Sequence, residues 1–186
     1  MSTMDLLETR DVSKKQKFYG KYRGTVINNL DPLQIGRIQV MVPDVSNLVP
    51  TSWAMPCVPL AGKQEGTFFV PQVGAGVWVE FEQGDPDYPI WVGGFWGIAA
   101  EVPALALAPP PIPPGQNIVM QTTLQNTLLI SDSAPTPATG GIVLKSTTGA
   151  MIVVNDSGIY IQNGKGASIF MVGPTVTINQ GALVVV

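Results

Sequence analysis

The sequence predicts an all-β chain in two parts: a small closed barrel, then a β-prism wound from several copies of the chain. Three observations carry that expectation. Gly (20) and Pro (17) together disfavour helix through most of the 186 residues. Short alternating runs bounded by Gly, Pro and Asp fill residues 18–97. The last 70 residues hold 26 Val, Ile or Thr but only four charged side chains, Asp132, Lys145, Asp156 and Lys165.

Taken in order, residues 1–17 read as a polar arm with Lys14, Lys15 and Lys17 near its end. Residues 18–97 predict strands over Tyr22–Asn28, Gly36–Val42, Thr67–Val70, Gly76–Gln83 and Tyr88–Phe95, the last after the turn Gly84-Asp85-Pro86-Asp87. In the fourth run Val77, Val79 and Phe81 share one face, and Trp78, Glu80 and Glu82 the other. About five short strands in so few residues suggest a small closed barrel. Residues 98–116 form an Ala/Pro linker, expected to be extended because consecutive prolines favour polyproline II.

In residues 117–186 glycines at 149, 158, 166, 173 and 181 mark one strand per roughly eight residues, a strand–turn stack. A single copy would be a thin ribbon with two open edges and a bare apolar face. Winding several copies around a shared axis removes both problems.

Composition narrows function as well. Charged residues are 12% of the chain and the net charge is −3, so no global field draws it to nucleic acid or anionic lipid. Histidine is absent, which excludes Ser–His and Cys–His catalysis and imidazole-dependent zinc sites. The lone Cys57 cannot form an intrachain disulfide. Residues 1–17 lack a signal-peptide apolar run, so a soluble protein made in the cytoplasm is expected.

Several residues invite a sharper reading than their surroundings support. Glu80 and Glu82, about 7 Å apart by strand geometry, invite a glycosidase reading. A solvated strand face is the better account. Asp85 and Asp87 suit a turn better than a calcium loop. Six of the ten basic residues lie between Arg10 and Arg23, which invites nucleic-acid binding, but Glu rather than Lys accompanies the aromatic strands. An arm docking on a protein partner is preferred. Asn155, Asp156, Asn163 and Asn179 fit corner turns. No catalytic, cofactor or metal residue is assigned.

The order of motifs resembles a known family. Tyr22-Arg-Gly-Thr-Val, Asp31-Pro32, Gly36-Arg37-Ile-Gln-Val and Val42-Pro43 are followed by Trp53-Ala54, Ala61-Gly62, Gly66 and Val70-Pro71-Gln-Val-Gly74. Val77-Trp-Val-Glu-Phe81, Gly84-Asp85 and Pro89-Ile-Trp-Val-Gly93 complete the barrel signature. These are similar to contractile-tail spike proteins, the phage baseplate assembly protein V group and the valine-glycine repeat proteins of type VI secretion. The tail Val176-Thr-Ile-Asn179-Gln-Gly181-Ala-Leu183-Val184-Val185 resembles the last turns of their triangular β-helix. Unlike some members, residues 98–116 hold no lysozyme-like insert between barrel and needle, and the hub is expected on a separate protein rather than as a domain before the barrel.

The resemblance implies an oligonucleotide/oligosaccharide-binding (OB) barrel and a homotrimeric β-helix needle, a spike that pierces a target envelope on sheath contraction. It implies a separate hub protein at the OB end, transient contact with the target-cell envelope, and a location in a virion tail baseplate or an equivalent injection particle. By period-two alternation Ile159, Ile161, Val176 and Ile178 are expected in the trimer interior, with Tyr160 and Thr177 outward. Leu183, Val184, Val185 and Val186 are expected to form an apolar platform for a tip protein of the proline-alanine-alanine-arginine (PAAR) repeat type. A β-helical polysaccharide depolymerase and a nucleic-acid-binding barrel are the alternatives.

Overall fold

Alternation along Gly76–Phe81 sets the first unit. Val77, Val79 and Phe81 are buried while Gly76, Trp78 and Glu80 are not, so one face of this strand is core. The computed structural model describes residues 15–107, 117–136 and 139–185. Its strands fall in two units, residues 1–97 and 98–186.

In the first unit β1 (Tyr22–Asn28), β2 (Gln39–Met41), β3 (Met55–Pro56), β6 (Gly76–Phe81) and β7 (Pro89–Phe95) make a sheet in the order β2-β1-β6-β7-β3. A side hairpin is built from β4 (Ala61–Gly62) and β5 (Glu65–Gly66), and a single turn of helix, α1, spans Pro43–Ser46. All pairings in the main sheet are antiparallel except β3 with β7. The two edges meet. Ile38 and Ala54 exchange backbone hydrogen bonds of 3.2 and 2.7 Å, and Thr51 N–H donates to the Val40 carbonyl at 2.9 Å. The curled sheet thus closes on itself, as an OB-type barrel does.

Its interior is Val26, Ile38, Val40, Val42, Ala54, Val77, Val79, Phe81 and Trp91. Gly24 must be glycine for contact reasons, because a Cβ there would stand 2.4 Å from Val40 Cγ1. Trp91 satisfies its indole N–H on the Gly36 carbonyl at 3.0 Å.

Three expectations change here. Gly36–Val42 narrows to β2. Thr67–Val70 forms no strand; Thr67 N–H bonds instead to the Leu60 carbonyl at 3.0 Å, continuing the small hairpin, before Pro71 ends the run. Residues 98–107 are not extended throughout, since Ala99–Glu101 and Ala104–Ala106 each form one 3-10 turn between extended residues such as Ile98 and Val102. Residues 108–116, the proline-rich part, lie outside the described residues.

The second unit is an antiparallel meander of eight strands paired in chain order. They are β8 (Asn117–Gln121), β9 (Thr127–Thr136), β10 (Thr139–Lys145), β11 (Met151–Asn155), β12 (Gly158–Gln162), β13 (Ser168–Val172), β14 (Thr175–Ile178) and β15 (Leu183–Val185). Polar residues fold the corners. Asn163 Oδ1 accepts from Lys165 N–H at 2.8 Å and Ala167 N–H at 3.0 Å, and Asn155 Oδ1 accepts from Ser157 N–H at 2.9 Å. Asn179 Oδ1 instead accepts from Ser168 N–H, 11 residues earlier at the start of β13, at 3.1 Å. Side-chain oxygens that bond the backbone a few residues on are what corners require.

Candidate trimerisation surface

Register turns the meander into columns. One column runs Ile118, Ile130, Ile142, Val154, Ile159, Met171, Val176, Val185, each directly opposite the next across neighbouring strands. A second runs Met120, Leu128, Leu144, Ile152, Ile161, Ile169, Ile178, Leu183. The two columns lie two residues apart on every strand, so they share one face. That face carries no polar residue in either column.

The face is open to solvent in the single chain. Ile118 is 64% exposed, Ile159 36% and Ile161 38%, while Leu128, Met171, Val176 and Ile178 are half-buried. Covering each half-exposed Ile would contribute on the order of 1 kcal/mol. A contiguous apolar surface of this extent marks an association site.

The opposite face behaves differently. Its central column runs Val119, Leu129, Val143, Val153, Tyr160, Phe170 and Thr177. Leu129, Val143, Val153 and Tyr160 are buried by their own chain, with Val119, Met151 and Phe170 packed against them. Tyr160 and Phe170 meet edge-on at 5.4 Å, and the Tyr160 hydroxyl lies 3.1 Å from Ser157 Oγ. Alternation correctly separates Tyr160 from Ile159 and Ile161. Tyr160 is not a bare outward residue, however, being only 7% exposed. A charge at that position would therefore be placed in the chain's own cluster.

Leu183 and Val185 pair with Ile178 and Val176, which makes them the last rungs of the same columns. Val186 lies outside the described residues.

On the barrel, Glu80 is tied to Lys21, and Glu82 stands past the strand in the 3-10 turn Glu82–Gly84, so the two carboxylates do not form a pair on one strand. Asp85 accepts from Lys15 Nζ at 2.6 Å with Lys17 Nζ at 3.6 Å, and Asp87 also binds Lys15. Asp85 and Asp87 belong to a turn: Asp85 N–H bonds the Glu82 carbonyl at 2.9 Å and Tyr88 N–H the Asp85 carbonyl at 3.0 Å. The Lys15 hydrogen bond and that from Asp87 N–H hold the Asp85 carboxyl below its usual range. Lys15, Lys17 and Lys21 thus face the chain's own acids, and residues 1–14 of the expected arm lie outside the described residues. Arg23 lies 5.6 Å from the ring centres of both Trp78 and Phe95.

A buried ion pair orders the loop after β1. Asp31, with a 4% exposed side chain, accepts from Arg37 at 2.6 and 3.0 Å and from the N–H groups of Leu33, Ile35 and Arg37. The Arg37 bond leads, and together they hold its carboxyl far below the usual carboxylate range. Arg37 also stacks 5.4 Å from the Trp53 ring. Asp-Pro six residues before an Arg was the available signal.

A closed OB-type barrel followed by a strand meander with an uncovered apolar face defines a two-part chain whose second part is built to associate. Residues 22–96 match the family model of the type VI secretion system/phage-baseplate injector OB domain. Residues 117–184 match that of the phage baseplate V C-terminal trimerisation domain. The chain belongs to this baseplate V spike family, with the two domains in the expected order. Both matched families are structural domains rather than enzyme families. A comparison with curated proteins finds no match.

Proposed function

We propose that three chains join through the two apolar columns into a rigid prism, which serves as the central spike of a contractile injection machine. Ile159, Ile161, Val176 and Ile178 lie in its dry interior, as do the twelve other column residues. The observation that carries this reading is the unbroken apolar register across all eight strands. Backbone hydrogen bonds along the meander and side-chain packing between chains supply stiffness along the stack. Sheath contraction then drives the prism through the target envelope, and no bond is made or cleaved. The barrel faces a separate hub protein.

At the last strand of the meander, β15 pairs among the described residues with β14 alone, so its outer edge offers strand pairing beside Leu183 and Val185. A PAAR-type tip protein docks there, with Val184 and Val186 completing its platform. Injection particles made with Ile161→Asp as the sole source of this chain test the reading. They should contain no trimeric spike and lose envelope penetration, and full penetration would refute it. Deleting Val184–Val186 should strip the tip subunit from otherwise intact particles; retention at full occupancy would refute the platform.

A further inference from the structure

The topology of the meander sorts its four charged residues by sign. Each strand runs back across the sheet against the one before it, so β8, β10, β12 and β14 all end at one edge. Lys145, the last residue of β10, and Lys165, in the corner between β12 and β13, lie at that edge. Asp132, one residue past the Asn117–Ser131 rung, and Asp156, in the corner between β11 and β12, lie at the opposite edge. Asp132, Asp156 and Lys165 are exposed and Lys145 is half-buried.

Among the described residues, ion pairs join only barrel side chains, so these four charges have none within the chain. The spacing forbids one. Four strand steps separate Gly141 from Lys145 and Gly158 from Gln162, which puts the two edges at least ~13 Å apart.

We propose that these residues form charged seams between copies of the chain, with Lys165 facing Asp156 and Lys145 facing Asp132 of the next copy. The inference rests on the trimer reading above. Three identical sheets around one axis meet head to tail, so each corner of the prism brings one edge of a chain against the opposite edge of its neighbour. Charge sign is the first support, because every such corner joins a basic edge to an acidic one.

Level along the stack is the second support. Asp132 lies on β9 and Lys145 on β10, while Asp156 precedes β12 and Lys165 follows it. In both pairs the lysine stands one strand spacing, ~4.8 Å, further along the stack than the aspartate, within reach of its four-carbon stem. A single alignment of neighbouring chains thus serves both pairs. The apolar columns present the same kind of side chain at every level and discriminate poorly against axial slip. Charges at two levels supply that discrimination.

Carbodiimide, which couples a lysine amine to a carboxylate in contact with it, tests the seam on the full chain. An Asp156–Lys165 linked peptide should appear, carried by bands at two and three times the chain mass on a denaturing gel. Lys145→Arg/Lys165→Arg keeps the charges and should lose that peptide. At low salt, Lys145→Asp/Lys165→Asp and Asp132→Lys/Asp156→Lys should each raise the chain concentration at which half the trimer dissociates about tenfold, since six pairs per trimer turn repulsive. Combining all four substitutions should restore the parent value, and 1 M salt should bring all these chains together. A parent that is trimeric by native mass but yields the linked peptide only from single chains, or not at all, would overturn the seam and leave the trimer standing. So would a fourfold variant no tighter than either double variant. A monomeric parent would overturn both.

Discussion

The barrel and the meander use the same two-residue alternation with opposite results. In the barrel, the sheet β2-β1-β6-β7-β3 curls until Ile38 meets Ala54, and the apolar faces of β1, β2 and β6 cover one another. In the meander, strands of three to ten residues stack in chain order without closing. One central column finds cover within the chain, and two columns on the other face do not. A closed sheet satisfies its own hydrophobic pattern, whereas an open one transfers that requirement to other copies. The barrel covers its own core, whereas the meander leaves two columns open for association.

Substitutions break or sharpen this contrast. The largest effect belongs to Ile161→Asp, which would place three like charges around one axis at a cost of several, about 3–5, kcal/mol per site. Size-exclusion chromatography with light scattering should show only monomer, with the barrel still folded by its tryptophan fluorescence. Ile38→Ala, by contrast, removes a fully buried barrel side chain and should cost about 3 kcal/mol. Calorimetry should show that loss at every protein concentration, because no second chain is involved. Tyr160→Ala tests the covered face of the meander. It should cost about 3 kcal/mol and lower the melting temperature of the second unit while the barrel transition stays put.

Acid titration separates the units next. Asp31 has a folded pKa below its unfolded value near 4, so the unfolded chain binds more protons as pH falls toward that range. Its contribution to the barrel is present above about pH 4 and is lost progressively below it. Denaturant midpoints between pH 5 and pH 2 should fall less steeply for Asp31→Asn, which starts lower at neutral pH. The smallest effect is that of Lys15→Ala. Its pairs with Asp85 and Asp87 are exposed, so the variant should shift the barrel midpoint slightly at low salt and not at all in 1 M salt.

Legibility in the sequence followed the physics of each region. β1 is read correctly end to end because Asn28-Asn29 and Asp31-Pro32 punctuate it. β6 is read because its alternation is strict. Thr67-Phe-Phe-Val70 looks like a strand by composition, yet its aromatics line a groove instead of a sheet, a tertiary choice that propensity cannot see. Ile159, Ile161, Val176 and Ile178 are placed on one face by period two alone. Their alignment into columns depends on corner lengths of differing size, which a single sequence does not display. Tyr160 shows the limit of alternation: it assigns a side chain to a face and is silent on whether the chain itself covers that face.

The central claim is that the apolar columns are covered by two further copies of the chain. Native mass spectrometry of the full chain across a dilution series measures this directly. The account predicts one species at three times the chain mass down to low micromolar concentration, with Ile161→Asp at a single chain mass under the same conditions. A parent protein that is monomeric at micromolar concentration, with its columns still open to solvent, would contradict it.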